Sequence, residues 1–284
     1  MYKQKERPKS KRVIATQLPS KHKKLKEILK GFGDLLVAYS GGVDSSLLLK
    51  VAHDMLGNKV LAVIAQSKTY TKEEGDSAVK FAKKLGVRHQ VIHTNEFDDE
   101  RFVSNPPERC YYCKKGLFSK LSGIAKKEGI KYIADGSNVS DLSDYRPGAK
   151  ASKEYGVKSP LRDAGFTKED VRKLSRELII PLWNKPAMAC LASRIPYGTR
   201  ITSEILERIG KGERFLKGLG LKQVRVRHHG DLARIEVDKC DLMSLVEDGT
   251  ADKIDKKFKS LGYHFVTIDL EGYRTGSMNE TLRT

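Results

Sequence analysis

Glycine and hydroxyl residues, the types that bind phosphate, form one short run near the start of the chain. The run is Ser40-Gly41-Gly42-Val43-Asp44-Ser45, and it follows the apolar stretch Leu35–Tyr39. Glycines let phosphate oxygens approach the backbone closely, and the free N–H groups of a following helix attract anions. A plain strand-to-helix connection would explain a lone Gly-Gly pair but not the whole string. Because no Gly-Lys-Ser/Thr ending follows, the run predicts a phosphate site other than the P-loop that grips the β- and γ-phosphates.

Three cysteines form the second group with chemical potential. Cys110 and Cys113 are separated by two residues, and Cys190 lies far away in a loop. A close pair can face one metal centre, and a distant third cysteine can complete a three-thiolate arrangement. Three interpretations stay open: a pair without metal, a zinc site completed by Cys240 or a histidine, and a [4Fe–4S] cluster with one iron not held by cysteine. Cys240 has no partner at a telling spacing, and we expect it to be an ordinary free thiol.

Composition and charge narrow the class of protein. The 284 residues are 39% hydrophobic, which is enough for a full core and one or two domains. The net charge is +18, from 54 basic and 36 acidic residues, and residues 1–30 contribute half of it, with 11 basic against two acidic side chains. The remainder is only mildly basic, which fits a site for phosphorylated small molecules as well as a polynucleotide groove.

The sequence shows neither the pattern of a membrane-spanning helix nor that of a signal peptide. No stretch approaches the roughly 20 apolar residues of a spanning helix, and the lysine-rich N-terminus lacks the apolar run of a signal peptide. Four cysteines without a secretory signal argue against a disulfide framework. We therefore expect a cytoplasmic protein that has no membrane partner.

Apolar runs alternate with helical patterns through the first half of the chain. Strands are predicted at Leu35–Tyr39, Val60–Ile64, His89–His93 and Tyr132–Ala134, and helices at Ser45–Leu56, Lys72–Leu85 and Lys114–Lys127. Strands joined by crossover helices require a parallel sheet that is covered on both faces. The pattern therefore predicts a doubly wound α/β domain.

A loop-rich stretch follows, and after it the helices and strands no longer alternate regularly. Residues 135–168 are interrupted by glycine and proline, and ligands of this fold class bind at such loops beyond the carboxyl ends of the strands. A helix is predicted from the N-cap Thr167 to Leu178. Further elements are a helix at Ser203–Lys217, strands at Gln223–His228, Leu232–Val237 and His264–Asp269, and two short helices before the last strand. We predict a basic mobile arm at 1–20, the α/β domain at 21–199 and a small α+β domain for substrate binding or oligomerisation at 200–284.

The Ser-Gly-Gly-x-Asp-Ser string resembles that of the PP-loop ATP pyrophosphatase family. The resemblance implies that the turn holds pyrophosphate, with Ser40, Gly41, Gly42 and Ser45 at the phosphates, and that ATP is cleaved between its α- and β-phosphates to adenylylate a substrate. Asp44 would act through Mg²⁺, because a bare carboxylate repels phosphates. Ala38, Ser67 and Gly136 match positions that line the family's ATP pocket.

A second resemblance is carried by two runs, WNKPAMACLASRIPYG at 183–198 and VRVRHHG at 224–230. Both are similar to the LarE family of ATP-dependent sulfur transferases, and the similarity extends from about Lys21 to Leu270. It implies conversion of the carboxylates of a pyridinium dicarboxylate mononucleotide into thiocarboxylates, on the way to the nickel-pincer cofactor of lactate racemase. Members with cysteines matching Cys110, Cys113 and Cys190 are thought to carry sulfide on a [4Fe–4S] cluster. The resemblance therefore implies that ATP, Mg²⁺ and this cluster are cofactors.

Charged side chains of the second half are candidates for the substrate site. Arg225 and Arg227 project from the same face of a predicted strand and could clamp the mononucleotide phosphate, or simply form a solvated face. Arg194 could contact a substrate carboxylate or the nucleotide, or form a surface salt bridge. Glu213 and Glu236 match positions near the family's substrate site. His228 and His229 alternate faces, so at most one points inward.

Other functions fit part of the pattern. A PP-loop tRNA thiolase with an iron–sulfur cluster would use the three cysteines and the basic arm, but no RNA-binding module with interleaved aromatics is seen, so nucleic acid is not an expected partner. An amidating synthetase of the NAD or GMP type leaves the cysteines without a role, and a nucleotide sensor without chemistry does the same. A homo-oligomer is expected, and the sulfur donor cannot be read from the sequence.

Overall fold

A computed structural model describes residues 10–143, 147–186 and 189–282. The helices are α1 (Ser10–Phe32), α2 (Val43–Leu56), α3 (Lys72–Leu85), α4 (Glu100–Val103), α5 (Arg109–Glu128), α6 (Gly148–Glu154), α7 (Pro160–Asp163), α8 (Lys168–Glu177), α9 (Ser203–Gly218) and α10 (Thr250–Ser260). The strands are β1 (Leu35–Ala38), β2 (Val60–Gln66), β3 (Arg88–His93), β4 (Ile133–Ala134), β5 (Val224–His229), β6 (Leu232–Val237) and β7 (Phe265–Ile268).

The first sheet is parallel, with the strand order β3-β2-β1-β4. The chain moves outward from β1 to β3 and then returns to place β4 on the other side of β1. The connections therefore diverge at the carboxyl ends of β1 and β4, where folds of this class leave a crevice for ligands. The phosphate-binding run directly follows β1, so it lies at this crevice.

Helices cover both faces of this sheet, as the apolar strands require. Leu35 and Val37 point to a core shared with α1, α2, α3 and α8, and Leu36 points to a second core with α5 and α6. Thr71 and Thr167 cap α3 and α8 with complete capping boxes. These contacts confirm the predicted α/β fold with a parallel sheet.

The second sheet has three strands in the order β5-β6-β7, with β5 and β6 antiparallel and β6 and β7 parallel. It packs on α9 and α10. The same core also includes Phe102, Val103, Leu191 and Ile195, all of which precede the domain boundary that we predicted near Thr199. The small unit is therefore joined to the first domain through α4 and the Cys190 loop.

Most predicted elements differ from the structure by only one or two residues at their ends, and one differs by more. Helix α5 begins at Arg109 rather than Lys114, so Cys110 and Cys113 lie on its first turn rather than in a preceding loop. Helix α1 begins at Ser10, inside the segment predicted as a mobile arm, and Leu18 is buried in the core. Residues 1–9 lie outside the described residues.

No helix of the described chain has the length and apolar character to cross a membrane.

Candidate functional site

The phosphate-binding run forms the turn between β1 and α2. Gly42 is the N-cap of α2, and no side chain caps the helix there, so the first backbone N–H groups face outward. The hydroxyls of Ser40 and Ser45 lie 3.1 Å apart, and the Ser45 hydroxyl donates to the Gly42 carbonyl at 3.2 Å. Free N–H groups and hydroxyls at a helix N-terminus form a site suited to an anion.

Two glycines are required here by close packing. Gly41 has φ +74°, and a Cβ atom on it would lie 2.9 Å from the Cβ of Ala78. A Cβ atom on Gly136 would lie 2.7 Å from the backbone nitrogen of Ser45. Gly136 therefore lets the chain after β4 press directly against the start of α2, which closes one side of the crevice.

Asp44 lies on the first turn of α2 and has two partners from distant segments. Its carboxylate forms an ion pair with Lys168 at the start of α8 and accepts a hydrogen bond from Asn138 Nδ2 at 3.0 Å. All three residues belong to loops or helix ends at the carboxyl edge of the sheet. Lys168 thus brings a positive charge to the turn, which would favour an anion there.

A cavity of about 1650 Å³ opens at this edge. Its lining includes all but one of the residues predicted to bind ATP: Ala38, Ser40, Gly42, Asp44, Ser45, Ser67 and Gly136. Gly41 is the predicted residue that is missing from the described lining, and it packs on α3 instead. Lys168 and Arg172, one helical turn apart on α8, also line the cavity. The Nε of Arg172 is buried and has no hydrogen-bond partner among the described residues.

The three predicted cysteines come together although Cys190 is distant in the sequence. Cys110 and Cys113 share one face of the first turn of α5, and Cys113 and Cys190 pack against the same core as Phe97 and Tyr112. Burial raises the pKa of Cys113 well above its ordinary value, and the Cys190 thiol raises it further. Burial and Cys110 also raise the pKa of Cys190, whereas the guanidinium groups of Arg109 and Arg194 oppose that rise.

Tyr70 connects the cysteines to the cavity. It lines the cavity and is 38% exposed, while the protein groups crowded around its hydroxyl, together with the Cys190, Cys113 and Cys110 thiols, raise the pKa of that hydroxyl. The neighbouring Thr69 carbonyl accepts a hydrogen bond from the Leu191 backbone N–H at 2.7 Å. The loop after β2 therefore contributes Ser67 to the cavity wall and also holds the chain next to Cys190.

Thiolates are the donor type that an iron–sulfur cluster takes. A cluster distributes its cysteines over separate irons, so its thiols need not converge on a single point. Within the described ranges, no three His, Cys, Asp or Glu side chains are arranged to hold one metal ion. Cys240 is exposed. Among the described hydrogen bonds, its single partner is the neighbouring Asp241.

Arg194 and Glu213 form a buried ion pair that fixes the Cys190 loop. Arg194 Nε lies 2.8 Å from Glu213 Oε1, and Arg194 Nη1 donates to the carbonyls of Ala189 and Cys190 at 2.7 and 3.0 Å. Burial alone raises the pKa of Glu213, but the Arg194 guanidinium outweighs it and leaves that pKa below its ordinary value. Arg194, considered from the sequence as a substrate contact or a surface charge, is therefore a buried support of the loop.

Arg225 and Arg227 lie on β5 and are both buried. The Arg225 guanidinium lies over the ring of Tyr273, which lines the cavity, at 5.1 Å. Arg227 donates to Glu236 at 2.7 Å and to the Ser193 carbonyl at 3.1 Å. Neither arginine forms a solvated strand face, because protein groups surround both. The charges predicted for substrate binding thus gather beside the Cys190 loop, outside the described lining of the cavity.

Of the two neighbouring histidines, only His228 is buried, as their alternation predicts. Its Nδ1 lies 3.4 Å from the Tyr263 hydroxyl, which gives it a structural partner. The sequence did not single out Lys168, Arg172, Asn138 or Tyr70. Of these, only Lys168 carried a local signal, since it follows an N-cap threonine in a loop-rich stretch that was expected to bind ligands.

Comparison with known proteins agrees with this geometry. The NAD synthase family matches residues 17–104, which contain the phosphate-binding turn. An uncharacterised protein of Synechocystis sp. is 43% identical over 91% of this chain and 98% of its own length. An uncharacterised protein of Methanocaldococcus jannaschii is 32% identical over 85% of this chain and 91% of its own.

A third relative has a named activity. The pyridinium-3,5-bisthiocarboxylic acid mononucleotide synthase of Lactiplantibacillus plantarum is 41% identical over 93% of this chain and 96% of its own. The match covers both halves of the site, the turn after β1 and the Cys190 loop. The chain therefore belongs to the LarE family of ATP-using sulfur transferases.

Proposed function

We propose that this chain uses ATP to convert a carboxylate of a pyridinium-3,5-dicarboxylate mononucleotide into a thiocarboxylate. The observation that carries the proposal is the loop after β2, which joins a cavity of about 1650 Å³ to the site of three cysteines. The similarity to the synthase from Lactiplantibacillus plantarum over nearly its full length supports the same substrate class.

The cavity provides what the activation step needs. A substrate carboxylate oxygen attacks the α-phosphorus of ATP, and pyrophosphate leaves. The free N–H groups of α2, the hydroxyls of Ser40 and Ser45, and Lys168 would hold the departing pyrophosphate. Mg²⁺ binds through one or two carboxylates together with phosphate oxygens, and Asp44 is the carboxylate placed to serve it once ATP displaces Lys168 from its ion pair.

The second step requires a sulfur nucleophile. The adenylylated carboxyl carbon has lost its negative charge and gained AMP as a leaving group. Attack by hydrosulfide forms the carbon–sulfur bond, releases AMP with the former carboxylate oxygen, and frees one proton. A [4Fe–4S] cluster held by Cys110, Cys113 and Cys190 would leave one iron open for sulfide. The buried positive charges of Arg194 and Arg109 near Cys190 would favour an anionic sulfur there.

Arg225 and Arg227 are proposed to receive the phosphate of the mononucleotide. They are adjacent on one face of β5, and the Ser193 carbonyl ties Arg227 to the loop that carries Cys190. A phosphate there would compete with Glu236 for Arg227. This position would direct the pyridinium carboxylates toward the cysteines and the cavity.

The proposal is tested by anaerobic purification followed by incubation with ATP and the dicarboxylate mononucleotide. We expect pyrophosphate, AMP and a product in which sulfur replaces oxygen, all three measured by mass spectrometry. Wild type should hold about four irons with labile sulfide, and Cys113→Ser should lose most of both. Cys240→Ser is the matched control, because Cys240 is an exposed thiol far along the chain.

Two outcomes would contradict the proposal. Zinc without iron in the wild-type protein would exclude the cluster. Absence of pyrophosphate release with the mononucleotide, together with tight and steeply salt-dependent binding of bulk tRNA, would favour RNA thiolation instead.

A further inference from the structure

The cysteines of the proposed sulfur site come from two segments that a single buried residue connects. Cys110 and Cys113 lie at the start of α5, whereas Cys190 lies on a loop about 80 residues later. Asn105, between α4 and α5, is fully buried and has φ +56°. Such a conformation is uncommon for residues other than glycine, so surrounding contacts must hold it in place.

Asn105 binds the chain after Cys190 through several groups. Its Nδ2 donates to the carbonyls of Pro196 and Thr199 at 2.7 and 2.9 Å. Its own backbone carbonyl accepts from the Gly198 N–H at 2.9 Å. One side chain therefore closes the segment that follows the Cys190 loop into a fixed curve.

The same side chain also binds the start of α5. Asn105 Oδ1 accepts a hydrogen bond from Arg109 Nη1 at 2.5 Å, and Arg109 is the residue directly before Cys110. The Arg109 guanidinium is buried and lies 4.8 Å from the centre of the Tyr197 ring. Its Nε has no hydrogen-bond partner among the described residues. Asn105 thus uses its acceptor toward α5 and its donors toward the Cys190 segment.

We propose that Asn105 and Arg109 are positioning residues that hold Cys190 in register with Cys110 and Cys113. The inference rests on the proposed function for its purpose, because sulfur handling by three cysteines requires that all three share one site. Arg194 anchors the Cys190 loop to α9, but it makes no described bond to α5. Among the described hydrogen bonds, those of the Asn105 side chain therefore link the Cys110–Cys113 segment to the Cys190 segment.

Two substitutions separate this role from a general effect on folding. Asn105→Asp keeps the size of the side chain and an acceptor for Arg109, but its carboxylate repels the two carbonyl oxygens that the amide group binds. Asn105→Gly keeps the backbone conformation and removes the side chain. Asn58→Asp makes the same chemical change at an exposed position at the other end of the sheet and serves as the control.

The experiment measures how readily the two segments meet. In a chain with Cys110→Ser and Cys240→Ser, only Cys113 and Cys190 remain. Diamide oxidises these two thiols to a disulfide and takes up both electrons and both protons. The reaction is followed by mass spectrometry of the linked peptides in dilute protein, without iron or the mononucleotide. Thermal midpoints with and without ATP report whether each variant keeps its fold and its nucleotide site.

We expect the disulfide to form in the parent chain and in Asn58→Asp at similar rates. Loss of several buried hydrogen bonds should slow it about tenfold in Asn105→Asp, with the ATP-induced rise of the midpoint retained. Rates for Asn105→Asp within about twofold of the parent would overturn the proposal, as would a parent chain in which Cys190 does not join Cys113. If Asn105→Asp loses the response to ATP, the disulfide rate of Asn105→Gly is compared with that of the parent chain by the same criterion.

The result is independent of the proposed activity. A wild-type chain that makes no thiocarboxylate would refute the sulfur transfer reaction, while the ratio of disulfide rates would still judge the role of Asn105.

Discussion

Gly136 offers a direct test of how the turn after β1 is built. A methyl group at this position would place its carbon 2.7 Å from Ser45 N, 3.0 Å from Ser45 Cα and 3.1 Å from Asp44 C. The φ of Gly136 lies outside the left-handed region, so alanine fits the backbone itself. All three neighbours are main-chain atoms and cannot rotate away. Gly136→Ala therefore acts only by pushing the start of α2.

The size of the effect follows from the distance. Opening the shortest contact from 2.7 Å to an ordinary 3.4 Å requires a shift of about 0.7 Å. Overpacking of this kind costs about 1–3 kcal/mol, which lowers the thermal midpoint of a chain this long by about 2–8 °C. A displacement of that order at Ser45 and Asp44 should weaken ATP binding about tenfold or more.

The assay compares Gly136→Ala with Gly123→Ala. Gly123 lies at an exposed position inside α5, and a Cβ atom there meets nothing within 4 Å. Alanine should stabilise that helix by about 0.5–1 kcal/mol and leave ATP binding unchanged. Scanning fluorimetry gives the midpoints and calorimetric titration gives the Kd for ATP. Equal midpoints and equal Kd values for the two variants would refute this account of the turn.

Two further predictions concern charged side chains. Lys168→Met removes the cation that pairs with Asp44. A hydrogen bond between charged groups contributes about 1.5–3 kcal/mol, so the Kd for ATP should rise about tenfold to a hundredfold. Lys173, exposed on the same helix, gives the calorimetric control Lys173→Met, and identical Kd values for the two variants would contradict the role of Lys168. Glu213→Gln leaves Arg194 without its buried partner and should lower the free energy of unfolding by about 3–5 kcal/mol at neutral pH. The folded-state pKa of Glu213 is lowered, so its stabilisation is lost as the pH falls through that pKa. Urea denaturation should therefore show wild type and Glu213→Gln converging as the pH falls below the ordinary glutamate pKa of 4.5, and parallel curves would argue against the ion pair.

Local patterns predicted the parts of the fold that local chemistry determines. Continuous apolar runs at β1 and β2 indicate strands buried on both faces, and Thr167 is the N-cap that its sequence context predicts. The start of α5 was placed five residues too late. Its first turn contains cysteines and tyrosines, which favour helix only weakly, and packing against α4 and α6 decides the outcome.

The contacts that the sequence did not reveal link distant segments. Lys168 meets Asp44 across 124 residues, and its position after an N-cap threonine in a loop-rich stretch does not indicate Asp44 as its partner. Asn105 precedes a proline, which marks a turn but not the residues bound there. Arg194 had the charge of a substrate contact, whereas its depth in the fold depends on Glu213 of a later helix.

The hydrogen bond between Thr69 and Leu191 determines how far an unstable intermediate must travel. Ser67 in the cavity wall and Thr69 are two residues apart, so their Cα atoms are separated by at most about 7 Å. An acyl adenylate formed in the cavity is quickly destroyed by water if it drifts into solution. Under the proposed function, Cys190 next to Leu191 would leave the activated group only a short distance to cover before it meets sulfur.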